Sequence, residues 1–86
     1  MSSPTPARYG QPLTQPEITI LRYVANGLSN AAIGRATFIS EDTVKSHLQR
    51  AFRKLGATNR AHAVGLAALA GHVTRSDIRP DLERAS

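Results

Sequence analysis

The sequence contains no cysteine, which excludes both a disulfide framework and a thiolate metal site. No apolar run comes near the roughly 20 residues that a bilayer-crossing helix requires. The first twelve residues, MSSPTPARYGQP, are polar and carry three prolines, unlike a secretory leader. The expectation is a soluble, cytoplasmic protein. No period-two strand pattern, internal repeat or low-complexity run is present, so a sheet-based or repeat architecture is not expected. Acidic residues are scarce. Six Asp and Glu stand against eleven Lys and Arg, giving a net charge of +5 and a pI near 10.8. Such a balance favours a polyanionic partner over a basic or neutral one.

What is there is small. Eighty-six residues allow one domain with a modest core and no room for a large cleft between lobes. The cations are also unevenly placed. Lys45, Arg50, Arg53, Lys54 and Arg60 fall in one stretch without a single acid, which makes a patch rather than a general solubilising excess.

The spacing predicts four helices and no strand. Residues 1–12 read as a disordered tail, with little to bury. Thr14 followed by Glu17 fits a capping box with Pro16 in the first turn. A helix then runs through Ile18, Leu21, Tyr23, Val24 and Ala25 to a stop at Asn26-Gly27. Ser29 caps a short helix of thin apolar content, about residues 30–36. Ser40 caps a longer one that ends at Gly56. Glu41 and Asp42 in its first turn and Arg53 and Lys54 in its last suit the helix dipole. Asn59 caps a fourth helix, residues 60–70, closed by Gly71. The polar end, residues 74–86, reads as a second tail in which Ile78 and Leu82 can dock weakly.

The third helix shows only a narrow apolar side, Val44, Leu48, Ala51 and Leu55. Lys45, Ser46, Gln49, Arg50 and Arg53 lie on its open side. A short capped helix, a tight turn and a longer capped helix form a helix-turn-helix. The first helix braces the second, which enters the DNA major groove. There Lys45 can donate to guanine, Gln49 can pair with adenine, and Ser46 can contact either. Arg50, Arg53 and Lys54 would meet phosphates and add affinity without sequence choice. The fourth helix carries two apolar stripes. Val64, Ala67 and Gly71 form one, flanked by Ala63 and Ala70. Leu66, Leu69 and Val73 form the other, with His62. One stripe can face the core and the other needs a second partner.

Four blocks, LTQPEITIL, ANGLSNAAI, ISEDTVKSHL and KLGATNRAHAV, follow one another at the spacing of LuxR-type (GerE-like) helix-turn-helix domains. The chain resembles that family over residues 13–73. The resemblance implies an all-α, four-helix domain that binds double-stranded DNA in transcriptional control. It also implies a homodimer joined through the fourth helix, at His62, Leu66, Leu69 and Val73. RNA polymerase is a further candidate partner, and the nucleoid the place of action. By position, Lys45, Ser46 and Gln49 correspond to base-reading places, and Thr43 and Thr58 to backbone-contact places. Asn30 and Arg60 match typical residues and join the expected backbone set.

Four positions depart from the pattern. Pro16 replaces a usual arginine and Ala32 a usual acid. Thr37 and Ala51 replace larger aliphatics, each a loss on the order of 1–3 kcal/mol if the space stays empty. Phe38 and Phe52 are expected to refill it. No receiver or ligand-sensing domain fits in twelve tail residues, so the expectation is a stand-alone regulator.

Other classes fit less well. Region four of a sigma factor uses a similar motif, but GATNRAHAV follows the LuxR-type pattern. A protein-interaction module that pairs with another regulator would use Leu66, Leu69 and Val73 but would not need Lys45 and Gln49. An enzyme is disfavoured. His47, His62 and His72 form no close pair at helical spacing and no carboxylate completes a set, so no catalytic residue, metal, cofactor or small-molecule ligand is expected. A membrane-surface role fails because no basic helix has bulky apolar residues opposite.

Overall fold

The computed structural model describes residues 7–79. Four α-helices follow in order, α1 (Gln15–Ala25), α2 (Asn30–Thr37), α3 (Glu41–Leu55) and α4 (Arg60–Leu69), then a short 3-10 turn at Arg75–Asp77. Among the described residues there is no strand.

Each helix starts where a short polar side chain can serve its free N–H groups. Thr14 accepts from the Glu17 amide while Glu17 accepts from the Thr14 amide, so the capping box closes in both directions. Ser29, Ser40 and Asn59 accept from the amides of Ala32, Thr43 and His62. Gly56 ends α3 in the left-handed conformation (φ 73°), which a residue without Cβ adopts at no steric cost.

Ile20, Leu21 and Val24 of α1 bury against Ile33 of α2, Val44, Leu48 and Ala51 of α3, and Ala63 and Ala67 of α4. Leu28 and Val73 close the cluster from the connecting segments. The α4 stripe built on Ala63 and Ala67 is therefore the one that faces the core. Small residues at Ala51, Ala63 and Ala67 keep this core thin.

A polar tie supplements it. Glu17 sits at a core position of α1 and is 1% exposed. Its Oε1 accepts from Lys54 Nζ at 2.8 Å, and Arg50 Nε lies 3.5 Å from Oε2. Burial pushes the Glu17 carboxyl upward, but the Lys54 and Thr14 hydrogen bonds and the Lys54 charge outweigh it. The carboxyl is held below its ordinary 4.5.

One expectation about packing changes. Phe38 does not refill the space beside Thr37. It ends α2 in the left-handed conformation with φ 61° and is 93% exposed. Thr37 instead bonds back to the Ile33 carbonyl at 2.7 Å, and an apolar groove remains between Pro16, Ile20, Thr37, Ile39 and His47. Phe52 does pack against the core.

The expected tails are tied down where they are described. Residues 8–11 form a turn, and the Gly10 amide donates to the Lys54 carbonyl at 2.9 Å. Residues 72–79 return along α1. Arg22 Nε donates to the His72 carbonyl at 3.1 Å, and Asn26 Nδ2 to the Asp77 carbonyl at 2.7 Å. The Arg79 amide donates to Asn26 Oδ1. Ile78 is half-exposed. Residues 1–6 and the expected Leu82 contact lie outside the described residues.

Because the folded carboxyl lies below its unfolded value, its stabilisation is present above about pH 4.5 and fades as pH falls through the lower folded value. Glu17→Gln leaves Lys54 buried without its counter-charge and is expected to cost about 3–5 kcal/mol at pH 7. In urea titrations the gap between wild type and variant should narrow on going from pH 6 to pH 3. A gap that stays constant over that range rules out the ionised pair as its source.

Candidate nucleic-acid interface

The α2–turn–α3 unit is held tightly. Gly34 of α2 lies against the turn, where a β-carbon would come 2.8 Å from the Ile39 carbonyl oxygen. Ser40 Oγ caps α3 and also meets Thr43 Oγ1 at 2.8 Å, which fixes the first turn of the helix.

On α3, Lys45, Ser46 and Gln49 are all exposed, as are Glu41, Asp42, Thr43 and Arg53. Asp42, Ser46, Gln49 and Arg53 recur at alternating spacings of four and three and so share one side. Val44, Leu48 and Ala51 are buried on the other. This side of the helix thus presents hydrogen-bonding groups on a support whose rotation is fixed.

The expected phosphate set divides. Arg53 is exposed. Lys54 is not available, being buried in its pair with Glu17. Arg50 is half-exposed and drawn partly toward the same carboxylate. Arg60 Nη1 donates to Asn30 Oδ1 at 2.7 Å and Nη2 to the Leu28 carbonyl at 2.8 Å. The Arg60–Asn30 pair joins the start of α4 to the start of α2, which is a bracing role. Thr58 is exposed, and its amide donates to His62 Nδ1 at 3.2 Å.

The second stripe of α4 also divides. Leu69 is 86% exposed and Leu66 half-buried, whereas Val73 is 6% exposed and belongs to the chain's own core. Val73 leaves the helical path because α4 ends at Leu69, so helical spacing no longer places it with Leu66. The His62 ring is engaged with Thr58.

Sequence reasoning missed Glu17 as an anchor. Its signal was a carboxylate at the apolar spacing of α1, level with Ile20, Leu21 and Val24, which requires a buried partner. Among the described residues, no three His, Asp or Glu side chains cluster as metal ligands, and no helix is long and apolar enough to cross a membrane.

Four helices in this order, with α2 bracing an exposed α3, define a helix-turn-helix domain. The family model for bacterial regulatory proteins of the luxR family matches residues 11–67, and the chain belongs to that family. Its relatives are transcriptional regulators. The HTH-type transcriptional regulator AlkS of Alcanivorax borkumensis is 42% identical over 59 residues, which is 69% of this chain and 7% of AlkS. The CsgBAC operon transcriptional regulatory protein of Escherichia coli is 47% identical over 55 residues, 64% of this chain and 26% of that protein. A crystal structure of the response regulator ChrA from a heme-sensing two-component system matches with a TM-score of 0.70 and 41% identity. That match covers 73% of this chain and 31% of ChrA. The chain thus spans about a quarter or less of these two curated relatives.

Arg60→Ala is expected to lower the urea-unfolding free energy by about 1–3 kcal/mol, since two charge-assisted hydrogen bonds go. Arg53→Ala should stay within about 0.5 kcal/mol of wild type. Equal midpoints for all three proteins would show that Arg60 does not brace the fold.

Proposed function

We propose that this chain is the DNA-binding unit of a transcriptional regulator that recognises a specific double-stranded sequence as a homodimer. It works on the nucleoid in the cytoplasm. α3 lies in the major groove, with Lys45 donating to guanine O6 and N7, Gln49 pairing with adenine N6 and N7, and Ser46 contacting either base edge. Arg53 and the exposed part of Arg50 meet phosphates, as do Thr43 and Thr58. Asn30 and Arg60 act behind this surface by fixing α2 against α4. The observation that carries the reading is that Lys45, Ser46 and Gln49 stand exposed on the open side of α3, while its opposite side is fastened to α1 by the core and by Glu17.

Dimerisation runs through Leu66 and Leu69 of α4, with His62 at the edge and Val73 left out. The exposed Leu69 supports this seam. It also fits a module that pairs with a different regulator, a reading that would leave Lys45 and Gln49 without a task. RNA polymerase remains a partner of the whole regulator, reached once the chain is on its operator.

Selection of bound sequences from random duplexes tests the reading. Wild type should yield a two-fold motif with half-sites about 10 bp apart. Lys45→Ala and Gln49→Ala should each lose roughly 1–3 kcal/mol and relax preference at particular base pairs. Identical motifs from wild type and both variants would end their assignment as readers.

Leu69→Asp should shift sedimentation from dimer to monomer and weaken binding to paired half-sites more than to a single one. The same oligomer from both proteins would place the seam elsewhere.

A further inference from the structure

The segment ahead of α1 lies mostly outside the family match, which begins at residue 11, yet it is built onto α3. The Arg8 amide donates to Gln11 Oε1 at 2.8 Å, and the Gln11 amide to the Arg8 carbonyl at 3.2 Å. Gly10, third in this turn, has φ 88°, as type II turns require at that place. Its amide donates to the Lys54 carbonyl, one of the α3 carbonyls left without a helical partner. Ala7 is buried. The Tyr9 ring lies over Gly56, so close that a β-carbon there would come 2.9 Å from its Cδ1 and Cε1. Yet Tyr9 is 81% exposed, and Arg8 is exposed too.

Gly56 continues the side of α3 that carries Asp42, Ser46, Gln49 and Arg53, three residues past the last of them. The turn therefore stands at the end of the exposed stripe. Ten residues separate Ser46 from Gly56, roughly 15 Å along the axis, more than the ~12 Å width of the major groove. With α3 crossing the groove and Ser46 among the bases, its far end would reach the sugar–phosphate wall.

We propose that the Arg8–Gln11 turn is a second DNA-contact element, with the Arg8 guanidinium and Tyr9 hydroxyl on backbone phosphates at the groove edge beyond Arg53. The proposal rests on α3 lying in the groove. It assigns the turn a positioning role, since phosphate contacts fix register without reading sequence.

The test is a salt series of binding to the selected duplex, with thermal unfolding of every variant as control. Arg8→Ala should bind more weakly at each salt concentration, flatten the log–log salt slope by about 0.9 and melt with wild type. Arg8→Lys should restore the slope. Tyr9→Phe keeps the ring on Gly56 and should bind on the order of five-fold more weakly with the slope unchanged. A wild-type slope and affinity for Arg8→Ala overturn the proposal. If Lys45→Ala and Arg53→Ala still weaken binding in that case, only the turn's role falls. If they too bind as wild type does, placement of α3 in the groove falls with it.

Discussion

A single buried carboxylate fixes how α3 sits on the rest of the domain. Glu17 Oε1 closes the cap of α1 through the Thr14 amide and at the same time holds the Lys54 ammonium, while Oε2 faces Arg50. Apolar contacts alone let one helix slide or roll on another at small cost, more so where the facing residues are as small as Ala51, Ala63 and Ala67. A directional ion pair between α1 and the last turn of α3 removes that freedom. Its net worth to stability is modest, because desolvation of both charges offsets much of the attraction. Its worth to geometry is larger, since the rotation of α3 decides which side chains are offered outward.

The same pair sorts the basic patch. Five cations follow one another from Lys45 to Arg60, but the protein uses two of them internally. Lys54 neutralises Glu17, and Arg60 braces α2 against α4. Lys45 and Arg53 face out, and Arg50 is half-exposed beside the same carboxylate. A patch counted along the chain therefore overstates the charge that a polyanion meets. What remains is narrow and directional, which suits recognition by placed groups more than a broad electrostatic attraction.

The helices were legible because their signals are local. Thr14, Ser29, Ser40 and Asn59 each cap as their spacing indicates, and Gly56 stops α3 where a left-handed residue is needed. The exposure of Lys45, Ser46 and Gln49 was legible for the same reason, since helical periodicity sets it. The partners of Lys54 and Arg60 lie 37 and 30 residues away, and a one-dimensional pattern carries no sign of them beyond Glu17 occupying an apolar place. Val73 was assigned by helical period, but α4 ends at Leu69 and the chain turns inward. Phe38 was expected inside because it is large and apolar, whereas it ends α2 in the left-handed conformation and stands exposed.

The return of residues 72–79 along α1 also sets where this unit can be cut. Val73 fills a core place from beyond the family boundary, and Arg22 and Asn26 grip the segment that follows it. A fragment trimmed at residue 67, or a chimaera splicing another module there, would open a hole beside Ala67 and strip α1 of its covering. Joined after residue 79, the same module would keep Val73 and the bonds of Arg22 and Asn26 in place.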